Sequence, residues 1–226
     1  MKDQIICIPV MGKTLEELLE NLKKAQELSS FVEIRADSIE KFDENDLEII
    51  KKAITGKAIF TCRHVAEGGL YKIHEEVRLK LLQKAIELQF DFIDVELETC
   101  KTRKFTGTYT TKIIVSYHNF TETPPYYDLT KVIDDIRSYH PDIIKVATMV
   151  QTDKDVISLT RVLVNKLPND TMIILGMGDK GKITRIMQPY LGGYLTFASL
   201  GGSTSAPGQI DFNELKNLCK NINLLT

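Results

Sequence analysis

Eight short apolar runs rich in β-branched residues punctuate the chain: "IICIPV" (5–10), "FVEIRA" (31–36), "AIFTCR" (58–63), "FDFIDVEL" (90–97), "KIIVSYH" (112–118), "DIIKVA" (142–147), "TMIIL" (171–175) and "GYLTFA" (193–198). Their spacing is roughly that of a βα unit, about 30 residues. Between them lie charged amphipathic stretches such as "TLEELLENLKKAQEL", whose Leu15, Leu18, Leu19 and Leu22 fall on one helical face. Strands separated by helices pair in parallel, because a hairpin leaves no room for the crossover. Eight such units in 226 residues, with no Pro/Gly/Ser-rich linker, favour a single α/β domain spanning 1–226, a closed (β/α)8 barrel of the TIM type. An open doubly wound sheet is the alternative that the pattern leaves.

Composition narrows the function. Lys and Arg number 29 against 31 Asp and Glu, a net charge of −2, so no global positive field exists to hold nucleic acid or an anionic membrane. Cys7, Cys62, Cys100 and Cys219 are scattered without C-x-x-C pairs, which suits free thiols in a reducing compartment and argues against zinc. "HEEVR" (74–78) lacks the second histidine of a zinc-protease helix. The N-terminal apolar run is too short to span a bilayer and lacks a small-residue cleavage site, so a cytoplasmic protein is expected.

"TMIILGMGDKGKITR" (171–185) carries Gly176-x-Gly178-x-x-Gly181 after an apolar run. A dinucleotide site also needs an acid about 20 residues on for the ribose hydroxyl. The window "YLTFASLGGST" (194–204) has none, so a tight βα turn, or an anion-friendly loop with Arg185 on the following helix, fits better.

In a barrel, strand residues alternate between interior and helix layer, and functional groups gather at the C-terminal ends of the strands. Polar residues inside the apolar runs are therefore informative. Glu33 and Arg35 share one face of "FVEIRAD"; charge compensation between them is one reading. Arg63 ends "AIFTCR", Glu67 lies in the loop beyond, and His118 ends "KIIVSYH". Met177 and Phe197 come from the last two strand ends. Lys145, between Ile144 and Val146, needs either a salt-bridge partner or a function, since burying an ammonium costs several kcal/mol. Desolvation beside other cations would favour a neutral, nucleophilic amine and hence a Schiff base. His64 and His140 lie beside loops and are expected to be solvated; Glu96 and Glu98 of "DVELE" are expected on one face of the fourth strand in a supporting role.

The segments "VEIRAD", "FTCRHVAEGG", "SYHNF", "DIIKVATM", "MGDKGKITR", "TFAS" and "SAPGQI" occur in an order that closely resembles the type I 3-dehydroquinate dehydratases, from first strand to last helix. The resemblance implies that Lys145 forms an imine with the C3 ketone of 3-dehydroquinate. His118 would remove a C2 proton and deliver one to the departing C1 hydroxyl, with Glu67 orienting it. Glu33, Arg35 and Arg63 would hold the substrate hydroxyls and surroundings, Arg185 the carboxylate, and Ser205 and Gln209 would belong to a closing lid. Met177 and Phe197 would supply apolar walls. An iminium makes the adjacent C–H acidic enough for an imidazole of pKa about 6.5 to abstract its proton. No metal or nicotinamide is implied, and a homodimer is. Asn119 stands where the family commonly has Asp beside the histidine, a neighbour expected to tune the imidazole. Two other readings are a Schiff-base aldolase, which typically binds phosphate, and a catalytically silent barrel kept for binding.

Overall fold

A computed structural model describes residues 5–105 and 110–223; the ends of the expected span 1–226 lie outside them. The elements alternate as β1 (Ile6–Val10), α1 (Leu15–Leu28), β2 (Phe31–Arg35), α2 (Glu44–Ala53), β3 (Lys57–Thr61), α3 (Glu75–Glu87), β4 (Phe92–Glu96), α4 (Leu97–Thr102), β5 (Lys112–Asn119), α5 (Tyr126–Arg137), β6 (Ile143–Met149), α6 (Asp153–Val164), β7 (Met172–Met177), α7 (Lys182–Met187), β8 (Thr196–Ser199), β9 (Ile210–Asp211) and α8 (Phe212–Asn223). Every strand pair is parallel, in the order β7-β6-β5-β4-β3-β2-β1-β8-β9. The curled sheet has the (β/α)8 architecture that the alternation predicts. The short β9, hidden in a loop-like sequence, extends the edge of β8.

The leucine stripe of α1 behaves as its period requires: Leu18 and Leu22 are buried, and Leu15 and Leu19 pack at the edge of the same core. Thr14 caps the helix by accepting from Glu17 N at 3.2 Å, while the Glu17 carboxylate returns to Lys13 N at 2.8 Å. Outward-facing strand residues such as Ile34, Phe60, Ile93 and Val146 join two clusters under the helices. Inward-facing residues, among them Cys7, Ile59, Ile114, Ile173 and Phe197, form a third. Its floor is aromatic: Phe31 and Phe92, each the first residue of its strand, and Tyr194 pack with ring centroids 5.4 to 6.5 Å apart.

The strand ladder does not run between β7 and β8, and three other contacts bridge that seam. Tyr194 N donates to Met172 O at 2.8 Å near the floor, and Gly178 N to Pro207 O at 3.2 Å near the mouth. Between them, Ile174 N donates to Gln188 Oε1 at 2.6 Å and Gln188 Nε2 donates to Leu195 O. One buried side-chain amide thus replaces a rung of backbone pairing. Gln188→Leu would orphan a buried N–H and a buried C=O, each worth about 1–3 kcal/mol. A loss of about 3 kcal/mol is expected, read in a thermal melt as a Tm fall of roughly 6–12 °C.

The three glycines of the seventh unit have steric reasons. A Cβ on Gly181 would lie 2.5 Å from Gly176 C, and Gly178 has φ +79°. A Cβ on Gly208 would lie 2.3 Å from Gly178 O, so the loop that precedes β9 sits over this turn, where a pyrophosphate would need to lie.

Candidate active site

The eleven residues that the resemblance assigns to a site line one cavity at the C-terminal mouth of the barrel: Glu33, Arg35, Arg63, Glu67, His118, Lys145, Met177, Arg185, Phe197, Ser205 and Gln209. Period-two alternation explains the convergence. Glu33 and Arg35 point inward from β2, Ser116 and His118 from β5, and Lys145 from β6. Register decides their heights. Ser116 is level with Lys145 and His118 with Ala147, so the imidazole stands one inward layer above the amine.

Lys145 is not the isolated amine its apolar neighbours suggest. Its Nζ donates to Asp94 Oδ2 at 2.6 Å, lies 3.5 Å from Glu33 Oε1, and sits 4.7 Å from the Phe197 ring centroid. Asp94 is not among the residues expected from the sequence, although alternation in "FIDVE" puts it on the inward face with Phe92. It also accepts from Arg63 Nη2 at 2.9 Å and from Ser116 Oγ at 2.6 Å. Burial penalises the Asp94 anion, but the charges of Arg63 and Lys145 more than offset that and hold its carboxyl far below the usual carboxylate range.

The charges on β2 pair differently from the expected compensation. Arg35 forms a fork with Asp37 at 2.9 and 2.7 Å, and Glu33 instead accepts from Thr61 Oγ1 at 2.9 Å. Asp37 also accepts from Arg63 N and Leu70 N, both at 3.1 Å, pinning the two ends of the loop that carries Glu67. Glu96 and Glu98 do not share a strand face. β4 ends at Glu96, which is buried, whereas Glu98 lies in the first turn of α4 with an exposed side chain bonded to Lys101. His140 is exposed; His64 is half-buried, its Nδ1 accepting from Ala66 N at 3.2 Å.

Glu67 Oε2 meets His118 Nδ1 at 2.9 Å and accepts from His118 N, also at 2.9 Å. Nε2 is left without a protein partner among the described residues. Burial, reinforced by the Arg63 and Lys145 charges, pushes the imidazole well below its ordinary pKa, so it is neutral. Burial pushes the Glu67 carboxyl up to about 7 against the pull of Arg63. Asn119 turns away: its Oδ1 accepts from Thr121 N and Glu122 N, and its Nδ2 donates to Tyr117 OH. Its side chain shapes a loop rather than the imidazole.

Arg185 is 2% exposed, and its Nε has no hydrogen-bond partner. Among the described residues its guanidinium makes one hydrogen bond, from Nη2 to Pro207 O at 3.3 Å, and burial alone lowers its pKa to about 10. A buried guanidinium without a carboxylate beside it is costly unless an anion completes it. Ser205 and Gln209 bond to each other, Ser205 N to Gln209 Oε1 at 2.8 Å and Gln209 Nε2 to Ser205 Oγ at 3.0 Å, holding the loop over the mouth.

A buried lysine, a neutral histidine and an unsatisfied arginine around one barrel mouth define an enzyme site for a small anionic molecule. Residues 6–226 match the family model described as type I 3-dehydroquinase. A 3-dehydroquinate dehydratase of Coxiella burnetii is 43% identical over 212 residues, 94% of this chain and 91% of that protein. The crystal structure of 3-dehydroquinate dehydratase from Geobacillus kaustophilus superposes with a TM-score of 0.90 at 26% identity, covering 99% of this chain and 92% of that one. A type I enzyme from Clostridium difficile, solved with covalently modified comenic acid, gives 0.88 at 27% identity, covering 99% and 94%. The chain belongs to the type I 3-dehydroquinase family and is a hydro-lyase.

Proposed function

We propose that the protein dehydrates 3-dehydroquinate to 3-dehydroshikimate through a Schiff base on Lys145. The observation that carries this reading is the meeting in one cavity of the Lys145 amine, the His118 imidazole with its Nε2 free among the described residues, and the Arg185 guanidinium with its Nε unsatisfied. Lys145 Nζ adds to the C3 carbonyl, and loss of water gives an iminium. His118 Nε2 takes the acidified C2 proton, and the electron pair moves into an enamine. The same imidazolium gives its proton to the C1 hydroxyl, which leaves as water while the enamine pair forms the new double bond. Hydrolysis of the conjugated iminium releases the enone and restores the amine. The iminium is itself the electron sink, so the steps need neither metal nor nicotinamide.

Arg185 holds the substrate carboxylate as a two-pronged partner and fixes the ring against base and nucleophile. Glu33, Arg35 and Arg63 surround the hydroxyls, Met177 and Phe197 wall the amine, and Ser205 and Gln209 close over the ligand. That the related Clostridium difficile enzyme was solved with covalently modified comenic acid supports a covalent route in this family. The same reading takes the enzyme to be a cytoplasmic homodimer; no helix among the described residues is long and apolar enough to cross a membrane.

The test is incubation with 3-dehydroquinate, following enone absorbance, then borohydride and mass mapping of the adduct. No rise in absorbance and no adduct would sink the proposal. Arg185→Ala is expected to raise KM about 100-fold, about 2.7 kcal/mol of lost charged contact, with a smaller change in kcat. Because the unliganded guanidinium has no acidic partner among the described residues and bonds only to Pro207 O, Tm should change little, and a melt beside the kinetics checks both halves.

A further inference from the structure

We infer that Glu96, held from behind by Arg78, is a positioning residue that keeps the lysine half and the histidine half of the site in register. The inference rests on the roles of Lys145 and His118 given under the proposed function. Glu96 is 1% exposed and closes no part of the substrate cavity, yet both halves lead to it. Its Oε1 accepts from Arg63 Nη1 and from His64 N, each at 2.9 Å. Through Arg63 it reaches Asp94 at 2.9 Å and then Lys145 at 2.6 Å. Through His64 it fixes the start of the short 3-10 turn Val65–Glu67, whose last residue holds His118. Its Oε2 accepts from Arg78 Nη1 at 2.7 Å.

Arg78 comes from α3, outside the barrel, and is itself buried. It also donates to Cys62 O at 3.2 Å and forms a fork with Glu75 at 2.8 and 2.9 Å. The result is one alternating line of charge, Arg78, Glu96, Arg63, Asp94 and Lys145, running from the helix layer to the amine. Well-packed apolar residues often stabilise a fold as well as such a buried array does. Geometry at the reacting atoms is what the array can supply, since a misplacement of about 1 Å can cost about 100-fold in rate. The groups that act most on Glu67 are Arg63 just beyond β3, Asp94 and Glu96 from β4, and His118 from β5, and His64, Glu75 and Glu98 line a second cavity with it. Removing the Glu96 charge therefore alters the Glu67–His118 pair as well as the lysine.

The deciding variant is Glu96→Gln in the full chain, assayed beside the parent protein. The expected result is a fall in kcat of about 30-fold or more with KM changed by less than about 3-fold. The acid limb of kcat should also move to lower pH, because one anion facing Glu67 is gone. Arg78→Ala should lose rate similarly and regain it in millimolar guanidinium chloride, which can enter by the cavity lined by Glu75, Glu96 and Thr99. Parent-like kcat and acid limb in Glu96→Gln would overturn the inference, and so would a Glu96→Gln protein that does not fold, which would make the role one of fold alone. Failure of guanidinium to rescue a folded Arg78→Ala would remove Arg78 from it. If the parent itself does not dehydrate 3-dehydroquinate, the functional reading falls. Titration of the His118 ring by NMR in Glu96→Gln then decides the positional claim, an unmoved ring pKa overturning it.

Discussion

Lys145→Ala is expected to reduce turnover of 3-dehydroquinate by on the order of 10⁴-fold or more and to abolish the borohydride-trapped adduct. Among the described residues no second amine lines the cavity: its other cations are the guanidiniums of Arg35, Arg63 and Arg185. The variant also removes a charge from Asp94 and Glu33, which are buried with it. Stripping one partner from a buried ion pair commonly costs about 3–5 kcal/mol, and here Arg63 and Ser116 remain on Asp94 to reduce that figure. Circular dichroism and a melt should show a folded, less stable protein. Adduct mass on a folded Lys145→Ala chain, or residual turnover near the parent rate, would remove the lysine from the mechanism.

His118→Ala should separate two steps that Lys145→Ala removes together. The amine and the arginine remain, so 3-dehydroquinate should still be trapped on Lys145, while enone formation falls about 10³-fold for want of a base at C2. Loss of both the adduct and the enone would contradict the division of labour. The parent protein should also show an acid limb in kcat near pH 7, set by the Glu67–His118 pair. Above that pH the Glu67 carboxylate accepts from Nδ1–H and leaves the Nε2 lone pair free. Below it, the carboxylic acid donates to Nδ1, the ring proton moves to Nε2, and the base is lost. Activity therefore falls as pH falls through about 7, the value to which burial raises Glu67. Glu67→Gln removes that titration, and its limb should move to lower pH, toward the depressed value of His118. A limb unchanged in Glu67→Gln would show that another group controls it.

Much of this site is legible before folding. Alternation marks Lys145 and His118 as interior residues of neighbouring strands, because successive side chains leave a strand on opposite faces whatever surrounds it. The same rule places Asp94, between Ile93 and Val95, on one face with Phe92 and Glu96, so its inward direction is as legible as that of Lys145 although its role is not. Arg78 carries no such signal. It lies in an ordinary charged helix, "EEVRLK", and only the packing of α3 against β3 and β4 shows that it points inward.

The alternation of strand and helix, the inward faces and the order of motifs were settled by local chain geometry, which a linear sequence expresses directly. Partner choice was settled by the stagger of parallel strands. That stagger brings Asp37 rather than Glu33 to Arg35 and lets Asp94 serve Arg63 and Lys145 together, and the fold leaves Arg185 without an acid among the described residues. The seam between β7 and β8, bridged by Gln188, belongs to the same class. Charges far apart in the chain meet at distances set by inter-strand register and barrel closure, and those are properties of the assembled sheet rather than of any one segment.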